Sequence, residues 1–246
     1  MKKQIVAILM TSALALGITA CGAGTAEDQA SGNQTSSDQT QETSDEQADA
    51  GEQTDTGAAT GSSNILIAYF SVPEDVDTEG IDADAGASIL VDDGQVKGNL
   101  EYTAGVIQQT TGGDLLRIET VDQYPLDHET LVDQAADEQD QEARPELASQ
   151  IENVDQYDTI LLGYPNWWGD MPMPLYTFLE ENDFAGKTII PFTVHGGSGF
   201  SDTVDTIAQL QPDAQVSSDG LSISRNAVPD AAPEVTDWIA GLGLGQ

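Results

Sequence analysis

Between Tyr157 and Phe200 the chain twice runs an apolar stretch into a loop and then into a helical period, and this repeat constrains the fold more than any other feature. The first copy reads YDTILLGYPNWWGDMPMPLYTFLEE and the second GKTIIPFTVHGGSGFSDTVDTIAQL. Thr159–Gly163 and Thr188–Val194 are largely apolar runs of strand length, the pattern of parallel strands covered on both faces. Parallel neighbours need crossover connections, which the helical periods supply. In open α/β sheets the ligand lies outside the carboxyl ends of the strands, where both loops fall. One loop offers Tyr164, Trp167 and Trp168, the other Gly196, Gly197 and Gly199. Aromatic planes beside a backbone that permits close approach suit a large flat ring.

The rest of residues 64–246 continues the alternation. Ile65–Phe70 reads as a first buried strand and Leu115–Glu119 as a second. Between them the spacing predicts a helix over Asn99–Thr110, with Tyr102, Val106 and Ile107 on one side and Gly112-Gly113 as its stop. The acidic stretch from Val121 to Ile151 carries helical spacing from Arg144-Pro145 through Leu147 and Ile151. A helix over Ser201–Leu210, a fifth strand at Leu221-Ser222-Ile223 and a helix over Pro233–Leu242 close the chain. Strands alternating with helices predict an α/β fold with a parallel sheet.

The pattern GYPNWWGDMPMP…FLEENDFAGKTIIPFTVHGGSGF resembles the flavodoxin-like family, specifically its long-chain bacterial branch. The likeness runs from Asn64 to the C-terminus and is most specific in the two quoted loops. It implies a doubly wound five-stranded parallel sheet of order 2-1-3-4-5 that binds FMN and carries electrons, docking on a basic redox partner protein. The implied cofactor contacts are Tyr164, Pro165, Asn166, Trp167, Trp168 and Gly169 in the first loop. In the second they are Thr193, His195, Gly196, Gly197, Ser198 and Gly199. Adjacent tryptophans cannot both point inward from a strand, and Pro165 favours a loop, so at least one lies against the ligand. His195 reads either as a satisfied loop histidine or, from its place directly before Gly196-Gly197-Ser198-Gly199, as a donor to the pyrimidine edge of the flavin.

The phosphate loop departs from the family pattern. Ser71 follows the first strand, but the next recognisable piece, Gly98-Asn99-Leu100-Glu101-Tyr102, comes only after the insertion Val72–Lys97. Leu100 stands where the family has a hydroxyl residue and so removes one phosphate donor. Backbone N–H groups and the dipole at a helix start let Gly98 and Asn99 supply most of that function, with Lys97 as an adjoining positive charge. The alternative is that Gly98-Asn99 is only a turn and helix cap. Within the insertion, Asp82–Ser88 loosely resembles a covalent flavin-attachment motif that Ala85 breaks, and its carboxylates lack EF-hand spacing. The insertion reads as a surface flap beside the flavin. His128 and the carboxylates of Asp133–Glu142 read as solvated. No zinc motif, Ser-His-acid order or dinucleotide glycine motif is present, so no metal or catalytic residue is expected.

The N-terminus has the features of a secretory leader over residues 1–20: Lys2 and Lys3, an apolar run from Ile5 to Ile18, and small residues before Cys21. Ile18-Thr19-Ala20-Cys21-Gly22 resembles a bacterial lipobox, which implies a lipid on Cys21 and an extracytoplasmic, membrane-anchored chain. After Cys21, residues up to 63 hold no aromatic residue and no apolar side chain larger than alanine, and 21–63 is expected to form a disordered tether, reaching roughly 35 Å as a flexible coil. With 43 acidic residues against 7 Lys and Arg, the chain carries a formal charge of −36. Such acidity disfavours nucleic acid and anionic membrane surfaces as partners; it suits docking on basic proteins, and equally a generally acidic surface adapted to salt or solubility. Two rivals to an electron carrier stay open: an FMN-dependent NAD(P)H or quinone reductase, and a flavin-free lipoprotein that binds a small aromatic solute.

Overall fold

The computed structural model describes residues 64–80, 83–86 and 88–246. The leader, the tether and Cys21 lie outside the described residues. Strand β1 (Ile65–Tyr69) is followed by three short strands, β2 (Ala83–Asp84), β3 (Ile89–Asp92) and β4 (Gln95–Gly98), then helix α1 (Asn99–Thr111). Next come β5 (Asp114–Arg117), α2 (His128–Asp140), β6 (Thr159–Pro165), α3 (Met173–Glu181) and β7 (Thr188–His195). Helix α4 (Thr203–Leu210), strands β8 (Gln215–Val216) and β9 (Leu221–Ser224), and α5 (Ala232–Gly241) complete the unit.

The central sheet runs β5-β1-β6-β7-β8, with β9 also on β7, and every pairing is parallel. This is the expected order 2-1-3-4-5. Alternation along the strands builds two cores. Leu66 and Ala68 of β1, Phe70 just after it, and Ile160, Leu162 and Tyr164 of β6 pack with Leu131, Leu175, Phe178 and Ile207 of helices α2, α3 and α4. Ile67, Leu161, Ile190 and Phe192 face the other way, against Ala104 and Ile107 of α1 and Val235 and Ile239 of α5. Phe192 lies against Gly163, where an added Cβ would stand 2.2 Å from its ring.

The fifth strand begins earlier than the sequence suggested and is broken in two. Ile189 accepts from Ser217 N–H at 2.8 Å, so the odd-numbered backbone groups of β7 face the fifth strand. Pro191 has that parity and no N–H to offer. The ladder lapses between β8 and β9, and Gly220 fits there because a Cβ would lie 2.6 Å from the Pro191 carbonyl oxygen.

One further expectation is corrected. The helix in the acidic stretch is α2, whereas residues 144–151 are non-helical: Leu147 forms a bridge with Thr120, and Val121 and Ala148 N–H groups bond to Glu146 and Glu119 carbonyls at 2.9 and 2.8 Å. Pro145 pushes Arg144 out of the helical region, and the Arg144 guanidinium forks onto Glu180 at 2.8 and 2.8 Å. The insertion after β1 is an antiparallel sheet, β2-β3-β4, whose last strand runs directly into α1. Among the described residues no helix is long and apolar enough to cross a membrane.

Candidate functional site

A cleft of about 770 Å³, open to solvent, lies at the carboxyl ends of the central strands, where an open α/β sheet places its ligand. Pro165, Asn166, Trp167 and Trp168 line it from the end of β6, and Val194, His195 and Gly196 from the end of β7. Asn99 and Leu100 contribute the start of α1. A small adjoining recess adds Ser71 and shares Asn99, Leu100, Pro165 and Trp167.

The aromatic loop is a tight hairpin. Trp167 and Asp170 exchange backbone bonds at 2.9 and 3.0 Å, and the two residues between them, Trp168 and Gly169, have φ of 54° and 82°. Positive φ at both central positions is the type I′ arrangement, which Asn-Gly favours and a tryptophan resists. The adjacent indoles part as the sequence required. Trp167 packs edge-on against Phe70 and Tyr124, centroids 5.5 and 5.8 Å away. Trp168 is 61% exposed, tethered by its Nε1–H to the Val132 carbonyl at 3.3 Å.

Asn166 joins the two loops. Its Nδ2 donates to the Gly199 carbonyl and to Ser201 Oγ, both at 3.0 Å, and its Oδ1 accepts from Gly169 N–H at 3.1 Å. In the glycine loop, His195 Nδ1 accepts from Gly197 N–H at 2.9 Å. The proton of the neutral ring is therefore on Nε2, leaving a donor for the cleft.

Several expected contacts are framework. Tyr164 belongs to β6 and is fully buried, with its hydroxyl 2.8 Å from Thr203 Oγ1; burial pushes its phenol well above the ordinary value. Thr193 is buried in β7 and donates to the Tyr164 carbonyl at 2.8 Å. Gly169, Gly197, Ser198 and Gly199 shape the two turns without lining the cleft, Gly197 and Gly199 at φ of 137° and 59°. Lys97 points elsewhere: on β4 it pairs with Asp92 at 2.6 Å.

Gly98 caps α1, and a Cβ there would lie 2.2 Å from Ser71 Oγ. Ser71 and the helix start are thus held together despite the intervening insertion. Asn99 is 2% exposed and its Nδ2 has no hydrogen-bond partner among the described residues. A buried amide donor without an acceptor is uncommon in a folded protein, and this one stands on the cleft wall. Leu100 and Glu101 follow it with backbone N–H groups that have no intrahelical acceptor. The donor set fits an anion such as the FMN phosphate, although Glu101 sits close by, accepting from Gly98 N–H at 3.3 Å.

Other lining residues escaped the sequence reading. Glu74 and Ser88 come from the insertion, and His128, Leu131, Val132 and Ala135 form one face of α2. His128, expected to be solvated, has its Nδ1 3.0 Å from both carboxylate oxygens of Glu74. Arg225 follows β9 and also lines the cleft; the strand-end rule that located the other loops points to this position too. Of the five bases in residues 64–246, Lys97 and Arg144 pair with carboxylates, Arg117 donates to the Ser71 carbonyl and Lys187 to the Tyr157 carbonyl.

The sequence matches the flavodoxin family model over residues 64–241. Among solved structures, a candidate flavoprotein from Bacteroides uniformis ATCC 8492 is 25% identical, covers 73% of this chain and 99% of its own, and gives a TM-score of 0.51. One from Bacteroides eggerthii DSM 20697 is 24% identical over 70% and 96%, with a TM-score of 0.50. A flavoprotein in complex with FMN from Lactobacillus acidophilus NCFM is 18% identical over 69% and 97%, at 0.46. No curated protein matches. The family match spans the whole central sheet and both cleft loops, and the chain belongs to the flavodoxin family.

Proposed function

We propose that residues 64–246 bind FMN noncovalently in this cleft and transfer electrons to a basic partner, outside the cytoplasm, on a tether lipidated at Cys21. The observation that carries the cofactor is Asn99 Nδ2, a buried donor without an acceptor among the described residues, at the start of α1. Ser71 Oγ and the Leu100 and Glu101 N–H groups join it as the phosphate cradle. Asn166 fixes the spacing of the two loops that hold the ring, Trp168 covers it, and His195 offers Nε2–H to a carbonyl or ring nitrogen. When bound, FMN supplies one- and two-electron redox chemistry that no side chain here provides. The protein contributes binding, exclusion of water and the local field.

The formal charge of −36 supports a basic partner, and the lipobox-like segment ending at Cys21 supports the anchor. The test is a fluorescence titration of residues 64–246 with FMN and with riboflavin. FMN is expected to be quenched on binding, with riboflavin bound about tenfold or more weakly, a difference of ~1.4 kcal/mol for the phosphate contacts. Equal affinities would remove the phosphate site, and no quenching by either would leave the solute-binding alternative.

A further inference from the structure

Acidity does not by itself place a partner on this chain; the shape of one surface does. Just beyond the ends of β1 and β5 opens a groove of about 620 Å³, and none of its lining residues lines the cleft. Phe70, Ile118 and Tyr124 are its buried apolar residues, and Leu126 stands beside them 48% exposed. A second hollow of about 600 Å³ continues it past Thr120 and Tyr124, which line both, toward Asp122 and Glu146.

This surface is apolar within and acidic at its rim. Glu119, Asp122 and Glu146 are exposed along it. Its bases are already engaged: Arg117 donates to the Ser71 carbonyl at 3.0 Å and lies 3.8 Å from Glu119, and Arg144 forks onto Glu180. An exposed apolar patch rimmed by polar groups marks an interaction surface. The stems of Lys and Arg can cover such apolar surface while their charged ends stay in water. The backbone here is closed to strand addition. The Glu119 carbonyl accepts from Ala148 N–H at 2.8 Å, and Val121 N–H donates to the Glu146 carbonyl at 2.9 Å. Recognition at this groove therefore runs through side chains.

The groove also shares a wall with the cleft. Trp167 lines the cleft, and Phe70 and Tyr124 line the groove. The three rings meet edge-on, with centroids 5.6, 5.5 and 5.8 Å apart. A partner seated in the groove stands one layer of rings from the cleft and leaves the residues of the cleft uncovered.

We propose that this groove is the docking site of the basic partner and takes an extended segment that alternates Lys or Arg with large aliphatic side chains. The proposal rests on the basic-partner reading above and adds where that partner binds. Its aliphatic side chains pack on Phe70, Tyr124 and Leu126, and its cations pair with Glu119, Asp122 and Glu146. One electron lost by the reduced cofactor and gained by an oxidised centre of the partner crosses the ring layer, with no bond made or broken.

The test titrates ¹⁵N-labelled residues 64–246, which hold the whole central sheet and both cores, with the peptide Lys-Leu-Lys-Leu-Lys-Leu or with hexalysine at matched ionic strength. Amide shifts are expected at Glu119, Thr120, Gln123 and Leu126, with the mixed peptide bound about tenfold more tightly than hexalysine. Glu119→Lys and Leu126→Ser, both at exposed positions, are each expected to weaken the mixed peptide about tenfold. FMN affinity is expected to be unchanged at saturating peptide. Equal affinity for the two peptides, or shifts spread evenly over the acidic surface, would overturn the groove and leave only a diffuse attraction for basic partners. Shifts confined to His195–Gly199, with loss of FMN affinity, would move docking to the cleft and overturn it equally. Concentration-dependent shifts of the groove amides without peptide, abolished in Leu126→Ser, would give the groove to a second copy of this chain and overturn the proposal. No binding of either peptide would remove the basic-partner reading itself, and this proposal with it.

Discussion

Asn166 Nδ2 donates to the Gly199 carbonyl at 3.0 Å, tying the loop that leaves β6 to the loop that leaves β7 across 33 residues of sequence. The same side chain takes Gly169 N–H and gives to Ser201 Oγ, so one amide sets the gap between the two walls of the cleft. Asn166→Asp exchanges the donor for an acceptor facing a carbonyl oxygen. Loss of the bond and the repulsion left behind are expected to cost about 1–3 kcal/mol. At about 2–4 °C per kcal/mol for a domain of this size, calorimetry of the flavin-free domain is expected to show a clear drop, with weaker FMN binding. An unaltered melting temperature would mean that the loops hold their spacing without Asn166.

Gly98 is required for space. Its φ of −68° is open to any residue, but a Cβ would lie 2.2 Å from Ser71 Oγ. Gly98→Ala therefore displaces Ser71 from the helix start and is expected to weaken FMN about tenfold, with a smaller effect on riboflavin. Adding Ser71→Gly relieves the clash without restoring the hydroxyl, so folding is expected to recover and the preference for FMN is not. Recovery of that preference in the double variant would exclude Ser71 from the phosphate cradle.

What could be read from sequence divides along physical lines. The sheet was legible because β6 and β7 are buried on both faces, so each shows as a nearly unbroken apolar run. Strand parity also places Tyr164, which shares the phase of Ile160 and Leu162 and so belongs to the core. The break in the fifth strand follows from Pro191, but only once its parity toward β8 and β9 is known. Glu74 and His128 stand 54 residues apart and carry no local signal of their pairing. Arg144 to Ile151 imitated a helix because its apolar residues fall four apart, and Pro145 with the Glu180 fork decided otherwise.

Trp168 is expected to show opposite effects on stability and binding. A non-glycine residue at φ 54° stores about 1–3 kcal/mol of backbone strain, which a residue retained for folding would not need. Trp168→Asn places Asn-Gly in a type I′ turn. The flavin-free domain is expected to melt about 2–4 °C higher, while FMN binding and quenching weaken. A lower melting temperature would show that the indole's bond to Val132 outweighs the strain.

Acid titration addresses Glu180. Its hydrogen bonds to Arg144 hold the carboxyl below the ordinary 4.5. A depressed folded pKa contributes stability that is complete above that ordinary value and is lost as pH falls through the lower folded one. The pair is partly exposed, so it contributes no more than about 1 kcal/mol. Relief of repulsion within the acidic chain acts in the opposite direction over the same range. Urea melts of the unaltered domain and Arg144→Met are therefore expected to differ most near neutrality and to converge below pH 4.5. A difference that persists undiminished in acid would assign the stability to Arg144 stacking on Tyr176, 4.8 Å away.

Arg225 is the arginine lining the cleft, and a Cβ built on Gly196 would lie 3.6 Å from its Nε. It therefore stands beside the loop where His195 offers a donor. Reduction adds negative charge to a flavin, and a nearby cation favours that state. At a few ångströms a unit charge contributes about 1–4 kcal/mol between the limits of water and protein surface. Arg225 is exposed, which places it at the low end. Arg225→Gln is thus expected to lower the two-electron midpoint of bound FMN by about 30 mV, or ~1.4 kcal/mol. The shift is expected to shrink in high salt, which screens an exposed charge. The surrounding carboxylates act in the opposite sense, so the substitution separates one local cation from the net acidity of the chain. A midpoint that stays fixed, or rises, would place Arg225 outside the field of the ring and leave it to the docking surface.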